Sequence, residues 1–190
     1  TIAVGGTAGP STGHMVIMAR SKSLAGPWEN CPRNPLIRTL SAREKWWSRG
    51  HATLFEGPGG TYWMMYHGYE NGYWTLGRQT LLEPVKWDAD GWPRPLGGDL
   101  SRPIKKPRDI GPQPHGAPLS DDFSTDKMGT QWAFYDPANN EAIRLKRVGG
   151  TLHMAAKGKT PSDCAPLCAL AGDQAYRVIV DIEADPGAEG

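Results

Sequence analysis

The fold is decided by one stretch, residues 51–67, which reads HATLFEGPGGTYWMMYH. Its Gly-Pro-Gly-Gly run at 57–60 separates two segments that are rich in aromatic and other β-favouring residues, and this pattern predicts a β-hairpin. Two further strands are predicted downstream, over residues 73–81 and 92–95. Four strands within residues 51–95 have the spacing that is typical of one blade of a β-propeller.

A degenerate repeat extends this interpretation toward the start of the chain. Met-Ala-Arg, Pro-Trp and Pro-Arg-Asn-Pro-Leu occur at 18–20, 27–28 and 32–36, and Leu-Gly-Arg, Pro with Trp, and Pro-Arg-Pro-Leu occur about 60 residues later. The earlier copy supplies only the later strands of a blade, which we predict at 1–5, 14–20 and 35–37. The sequence therefore predicts an all-β protein that begins within a propeller.

The composition agrees with many short strands and turns. The 190 residues include 24 Gly and 17 Pro, which break helices and favour turns. The formal net charge is +1, and this argues against a partner held by bulk charge, so we expect no nucleic acid and no membrane surface. The three cysteines form no closed disulfide framework, and Cys164 and Cys168 lack the neighbours of a zinc site.

Charge and aromatic content divide the chain near Ala117. Seven of the eight tryptophans precede this point, and a Pro- and Gly-rich segment at 111–118, expected to be an extended linker, leads up to it. We predict two domains, 1–117 and 118–190. The second contains strand-like runs at 131–135, 142–148, 151–156 and 176–183, with Gly149-Gly150 as a hairpin turn, and it is most simply interpreted as part of a β-sandwich. Because the chain starts without Met inside a strand, we expect it to be part of a longer polypeptide.

Three glutamates are the carboxylates to weigh for acid–base chemistry. Glu56 precedes the hairpin turn, where a solvated acid lacks the burial that raises a carboxyl pKa. Glu70 lies near a turn, and Glu83 precedes Pro84 and is interpreted as a surface or structural carboxylate. From the residues alone, no convincing acid–base pair is found, and we predict no catalytic residue in this chain.

Four other residues are candidates for binding. His51 opens an inner strand, where it is either a satisfied core histidine or a polar group and metal ligand in a central channel. Arg78 is predicted inside an apolar strand, where a charge needs an acidic partner or a ligand. Thr7 offers a hydroxyl in a Gly-rich loop, and His14 ends that loop.

Six segments carry a resemblance to a known family. The run HMVIMARSKSLAGPWE at 14–29, Gly50-His51-Ala52 and LGRQT at 76–80 resemble glycoside hydrolase family 43, in its β-xylosidase and α-L-arabinofuranosidase branch. Residues 119–123, 131–134 and 162–167 resemble the C-terminal sandwich of these enzymes. The resemblance covers nearly the whole chain in the family's domain order.

The resemblance implies a fold and an activity. The chain would form the last blades of a five-bladed β-propeller followed by the start of a concanavalin-like β-sandwich. The family hydrolyses terminal β-xylosyl or α-L-arabinofuranosyl residues of hemicellulose with inversion, so a xylo-oligosaccharide or arabinoside is the implied substrate. Its catalytic carboxylates would lie upstream of Thr1, in a missing N-terminal part of the propeller, and Glu56 does not match the family's acid by context.

The resemblance also assigns secondary roles. Thr7, His14 and Arg78 would contact substrate, and His51 would be the channel histidine that contacts calcium. Two rival interpretations stay open, a non-catalytic carbohydrate-binding protein and a structural fragment without a ligand.

Overall fold

The computed structural model describes residues 1–7, 10–108, 111–112, 116, 118–136 and 140–186. Thirteen short strands and three single-turn 3₁₀ helices make up the regular structure of these residues, which confirms the all-β class. The chain divides into two compact units, Thr1–Pro112 and Gln113–Gly190, called the first and the second unit below. Ala117, at which we predict the domain boundary, lies outside the described residues. The described part of the chain has no helix with the length and apolar character needed to cross a membrane.

The first unit is organised around a four-stranded antiparallel sheet. Its strands follow one another in chain order and are β6 (Trp46–Glu56), β7 (Tyr62–Glu70), β8 (Arg78–Trp87) and β9 (Pro93–Pro95). The hairpin between β6 and β7 pairs Glu56 with Tyr62, as the Gly-Pro-Gly-Gly turn predicts. Smaller sheets precede it and join β1 (Ile2–Val4), β2 (Met15–Ile17) and β5 (Ile37–Arg38), and β3 (Ala19–Arg20) with β4 (Glu29–Asn30).

One face of the four-stranded sheet packs against the preceding strands. Met64 and Tyr66 of β7 and Leu81 and Val85 of β8 alternate with outward residues and are buried with Val16 of β2. This period of two is what a strand with one covered face requires. The buried side chains of β7 and β8 therefore follow the alternation of apolar residues in the sequence.

The second unit contains only pairs of short strands. β10 (Trp132–Phe134) pairs with β13 (Leu167–Ala169), and β11 (Leu145–Val148) pairs with β12 (Thr151–Met154). The turn between β11 and β12 is formed by Gly149 and Gly150, both with positive φ, so the predicted hairpin is confirmed.

Three predicted strands are wrong in part or in full. Residues 73–77 form a 3₁₀ turn at Trp74–Leu76, and β8 begins only at Arg78. The first residues of the predicted strand 142–148 belong to another 3₁₀ helix, Glu141–Arg144. Residues 176–183 form no strand despite their alternation, because a β-strand needs a partner for its backbone hydrogen bonds and none lies beside them in the described structure.

Candidate functional site

An irregularity in β6 positions the first functional side chain, His51. The pairing of β6 with β7 shifts register on both sides of Gly50, and Ser48 and His51 have φ values of 51° and 63°. Bulges of this kind redirect side chains and are common beside functional sites, where non-glycine residues with positive φ also concentrate. His51 is consequently exposed.

A buried arginine fixes the same segment. Arg49 is 4% exposed and donates hydrogen bonds of 2.6 Å to the carbonyls of Arg38 and Gly98. It also forms an ion pair of 2.9 Å with Glu44. These contacts tie the backbone next to His51 to the chain segments on either side of it.

His14 comes from the loop between β1 and β2 and packs directly against this bulge. Its ring is 4% exposed, and its Nδ1 lies 2.7 Å from the carbonyl oxygen of Gly5. A carbonyl only accepts, so Nδ1 carries a proton, and Nε2 is the nitrogen that has a free lone pair in the neutral ring. A Cβ on Gly50 would lie 2.0 Å from the ring of His14, so only glycine leaves room for the ring at this place.

His67 of β7 completes a cluster of three histidines. Its ring is stacked on that of His14, with centroids 5.3 Å apart and an interplanar angle of 11°, and its centroid lies 6.0 Å from that of His51. Each ring offers a nitrogen within 4.8 Å of the others, and no other such group of His, Cys, Asp or Glu occurs among the described residues. We call these three residues the three-histidine cluster.

The surroundings of His67 favour its uncharged form. Burial lowers the pKa of His67 to about 4, and the positive charge of Arg78 and the neighbouring rings of His14 and His51 act in the same direction. Neither ring nitrogen of His67 has a hydrogen-bond partner in the described structure, nor does Nε2 of His14, although all three atoms are buried. Buried polar atoms without a partner are rare and call for an explanation.

Arg78 lies close to this cluster at the first residue of β8. Arg78 pairs with Tyr69 of β7, and residues directly opposite each other in a sheet lie on the same face. His67 lies two residues before Tyr69 in the same strand, so it shares that face as well. Arg78 is exposed, which contradicts the expectation of an arginine within an apolar strand, because it lies on the outward face where β8 begins. No ion pair of its guanidinium is found within the described residues.

An aromatic pair stands next to Arg78. The rings of Tyr69 and Trp74 stack with centroids 3.8 Å apart and an interplanar angle of 13°. Trp74 stays 47% exposed, so part of its ring faces solvent. An exposed indole beside a charged donor presents both an apolar face and hydrogen bonds to a ligand.

Thr7 lies in the same loop as His14 and is half-buried, and the next two residues of that loop lie outside the described residues. The structure thus brings His14, His51 and Arg78 into one neighbourhood around His67. The binding roles of Thr7, His14, His51 and Arg78 remain predictions.

The three glutamates occupy different surroundings. Glu56 is exposed and lies 3.4 Å from the hydroxyl of Tyr62. Glu70 lies 3.6 Å from the ammonium of Lys45. Glu83 is only 1% exposed, which contradicts a surface position and leaves its structural role standing.

Glu83 is held by hydrogen bonds in the core. It accepts one of 2.6 Å from the hydroxyl of Tyr66 and another from the backbone N–H of Gly97. Burial raises the pKa of its carboxyl despite these hydrogen bonds and the charge of Arg49, which act against the rise. The same surroundings, burial first, raise the pKa of Tyr66 well above its ordinary value.

Sequence reasoning missed His67, although a signal for it was present. The predicted hairpin turns at residues 57–60, and counting outward from the pair Glu56–Tyr62 places position 51 opposite position 67. The shift at the bulge changes the observed partner of His67 to Gly50, next to His51. Treating histidines as pairs across the turn identifies two members of the cluster.

Comparisons with known proteins place the chain in a family. The model for glycosyl hydrolases family 43 matches residues 1–93, which confirms the resemblance. A non-reducing end alpha-L-arabinofuranosidase of Bacteroides ovatus, BoGH43B, is 35% identical over 134 residues, which cover 67% of this chain and 25% of that protein. A xylosidase/arabinosidase of Butyrivibrio fibrisolvens is 39% identical over 90 residues, covering 45% of this chain and 17% of that protein.

Solved structures agree with this assignment. The GH43 BlXynB protein from Bacillus licheniformis aligns with a TM-score of 0.71 and 26% identity, covering 90% of this chain and 34% of that chain. The chain spans about a sixth to a third of the length of these relatives.

Proposed function

This chain belongs to family 43 of the glycosyl hydrolases, and from that premise we propose that it is part of an enzyme that releases terminal β-xylosyl or α-L-arabinofuranosyl residues from hemicellulose. The relatives carry xylosidase and arabinofuranosidase names, which support a glycoside hydrolase acting on such substrates. The observation that carries the proposal within this chain is the exposed Arg78 beside a stacked aromatic pair.

Arg78 fits the role of a substrate arginine. Its guanidinium has five N–H donors in a rigid plane, and sugar hydroxyls accept such hydrogen bonds. Trp74, four residues before Arg78, presents an exposed ring that is stacked on Tyr69. An apolar ring of this kind suits the C–H face of a sugar. Thr7 and His14 are proposed to border the same site from the preceding loop.

The architecture that we propose is the last blades of a five-bladed β-propeller and the start of a concanavalin-like sandwich. Support comes from the four-stranded antiparallel sheet in chain order and from the coverage of only 34% of the solved relative. The outward face of β7, with Met65 at 44% exposure, suits a neighbouring sheet from the N-terminal part of the propeller. That part is accordingly proposed as the partner of this chain.

The catalytic carboxylates are proposed to lie outside this chain. Inverting hydrolysis needs an acid and a base about 6.5–9.5 Å apart, on opposite sides of the scissile bond. Glu83 is enclosed by Tyr66 and Gly97, and Glu56 stands exposed at the end of a hairpin, so neither has the setting of a catalytic acid facing a substrate. The proposed role of this chain is to bind and orient the sugar.

The family resemblance implies that His51 contacts a calcium ion. Calcium prefers six to eight oxygen ligands, and the histidines around His51 offer nitrogen instead. The donor atoms therefore fit calcium poorly, and no step of the reaction is assigned to it.

The test is the kinetics of the full-length enzyme that contains this chain. Arg78→Ala should lower kcat/KM for p-nitrophenyl β-xyloside or α-L-arabinofuranoside by more than about tenfold, or ~1.4 kcal/mol of transition-state binding. Arg94→Ala is the matched control. Arg94 is an exposed arginine in β9 of the same sheet as Arg78, and it forms an ion pair with Asp88. Equal kcat/KM in the Arg78→Ala and Arg94→Ala enzymes, both folded, would refute the role of Arg78.

The same assay distinguishes an enzyme from a non-catalytic carbohydrate-binding protein. A non-catalytic carbohydrate-binding protein would retain xylo-oligosaccharides without releasing monosaccharide, and its binding would still depend on Arg78 and Trp74. Proton NMR of the first product formed by an active enzyme reports the anomer, and inversion of configuration is the expected result.

A further inference from the structure

The three-histidine cluster is built as a metal site of a class that the family resemblance does not imply. We propose that His14, His51 and His67 together bind one divalent transition-metal ion of the zinc class. The inference rests on the three-histidine cluster itself and is independent of whether the enzyme cleaves xylosides or arabinosides.

The donor atoms select this class of ion. Neutral imidazole nitrogen is a preferred ligand of Zn²⁺, Co²⁺, Ni²⁺ and Cu²⁺, whereas Ca²⁺ and Mg²⁺ take oxygen. No carboxylate belongs to the group formed by the three rings. Three histidines and one open position are an established zinc arrangement in which the fourth ligand is a solvent or substrate atom.

The spacing suits one ion. The nitrogens lie within 4.8 Å of one another. Ligands of a tetrahedral Zn²⁺ with Zn–N bonds of about 2.0–2.1 Å stand about 3.3 Å apart, so modest ring rotations close the site. The exposed side chain of His51 has the freedom to make such a rotation, and it provides the entry side for the ion.

The surroundings hold His14 in the form that a metal requires. Its Nδ1 donates to the carbonyl of Gly5, and this leaves Nε2 as its ligand atom. Metal-binding histidines usually donate their second ring N–H to such a group, which fixes the tautomer and the orientation of the ring. Gly50 supplies the space for the ring, since a Cβ there would lie 2.5 Å from Nε2.

The unpaired nitrogens give a second, independent argument. Nε2 of His14 and both ring nitrogens of His67 are buried and lack hydrogen-bond partners within the described residues. A metal ion would satisfy one nitrogen of each ring. The nearby positive charge of Arg78 opposes any cation, so binding must come from the metal–nitrogen bonds, which again favours a transition metal over calcium.

The experiment is a titration of the chelator-stripped protein with Co²⁺, Zn²⁺ and Ca²⁺. Co²⁺ reports its coordination by visible absorption, which is strong when three nitrogens and one further ligand surround it in a tetrahedron. We expect one equivalent of Co²⁺ to produce these bands, Zn²⁺ to displace it, and Ca²⁺ to leave the bands unchanged.

Variants assign the site to the cluster. His51→Ala and His67→Ala should each weaken binding of Zn²⁺ and Co²⁺ by more than about tenfold, since even loss of a group that only orients a ligand costs 10–100-fold. His153→Ala is the matched control, because His153 is an exposed histidine in β12 and should leave binding unchanged. Gly50→Ala removes no ligand but displaces the ring of His14, and it should weaken binding as well.

Each outcome decides the proposal. His51 is exposed, so His51→Ala keeps the variant series informative even where substitution of buried His14 prevents folding. Absence of any Co²⁺ or Zn²⁺ binding overturns the proposal, as does transition-metal binding that survives both His51→Ala and His67→Ala. If the protein binds only Ca²⁺, and His51→Ala abolishes that binding, the proposal of a transition-metal ion is wrong.

Discussion

The two units of the chain are stabilised in different ways. In the described part of the chain, every buried apolar side chain belongs to the first unit, Thr1–Pro112. Among its described residues, the second unit, Gln113–Gly190, buries only the polar Gln131 and Glu141, and it leaves large apolar residues such as Ile143 exposed. The first unit is held by an apolar core around a sheet, and the second by turns, short hairpins and ion pairs.

Glu141 illustrates the second mode of stabilisation. Its carboxylate accepts hydrogen bonds from Lys157 and, at 2.6 Å, from Arg144, whose guanidinium also binds the carbonyls of Ala155 and Ala165 at 2.8 Å. Such a network fixes local geometry but contributes little of the hydrophobic free energy that apolar burial gives the first unit. The comparison predicts that equivalent substitutions affect the two units unequally.

Trp92→Ala should have the largest effect on stability. Trp92 is 2% exposed, and the guanidinium of Arg20 lies 4.1 Å from its ring centroid. Its removal should lower the free energy of unfolding of the first unit by about 3–5 kcal/mol. Tyr135→Ala in the second unit removes a ring that is 81% exposed and should change stability by less than about 0.5 kcal/mol. Urea unfolding followed by tryptophan fluorescence measures both, and similar losses in the two variants would contradict the comparison.

Glu83→Ala should rank second. The substitution leaves the hydroxyl of Tyr66 and the N–H of Gly97 without their acceptor, and we expect a loss of about 2–4 kcal/mol in the free energy of unfolding. Glu83→Gln keeps the shape and an acceptor, and it should cost less. A Glu83→Ala protein as stable as the Glu83→Gln protein would show that these hydrogen bonds do not matter.

The two buried glutamates should also respond to pH with opposite signs. The pKa of Glu83 is raised from 4.5, so its stabilising contribution is present below pH 4.5 and is lost as the pH rises through the folded-state pKa. The pKa of Glu141 is lowered from 4.5, by hydrogen bonds first from Lys157 and then from Arg144, so its contribution is present above pH 4.5 and is lost as the pH falls. Unfolding of the wild type against Glu83→Gln and Glu141→Gln, from pH 3 to pH 8, should give differences of opposite slope.

Gly149→Ala should have a smaller effect than Glu83→Ala. Gly149 has a φ of 59°, and the space around its missing Cβ is open, so the cost is conformational alone. We expect a loss of about 1 kcal/mol, confined to the hairpin of β11 and β12. Gly149→Asn should be milder, because asparagine tolerates this region better. Amide hydrogen exchange of β11 and β12 detects the change, and no difference between the two variants would argue against a conformational origin.

The sequence was most informative where one local rule decided the structure. The Gly-Pro-Gly-Gly turn and its flanking strands gave the β6–β7 hairpin, and Gly149-Gly150 gave the hairpin of the second unit. The strand at residues 73–77 was mispredicted because Trp74 stacks on Tyr69 and Gly77 adopts a φ of 69°, which together form a turn. The strand predicted at residues 176–183 is wrong for a different reason. Alternation favours a strand, but a strand also needs a partner for its backbone hydrogen bonds.

The candidate site could be predicted only in part. His14, His51 and Arg78 are each identified from the sequence, but their proximity is not. It depends on the bulge in β6 and on the loop between β1 and β2, in which His14 is hydrogen-bonded to the carbonyl of Gly5. Glu83 is predicted from the neighbouring Pro84 to be a surface or structural carboxylate, and only the structural alternative agrees with the alternation of Leu81, Glu83 and Val85 onto the buried face. The hydroxyl of Tyr66 and the backbone N–H of Gly97 supply the hydrogen bonds that Glu83 needs in this buried position.

This chain is proposed to bind sugar while the catalytic carboxylates lie outside it. The most direct measurement is turnover of p-nitrophenyl β-xyloside and α-L-arabinofuranoside by the purified 190-residue chain, alone and with the separately produced N-terminal part of the enzyme. We predict no turnover by the chain alone, restored turnover with the added part, and self-association of the lone chain in sizing chromatography because of its uncovered sheet face. Robust turnover by a monomeric 190-residue chain would contradict the claim and return Glu56, Glu70 and Glu83 to consideration as catalytic acids.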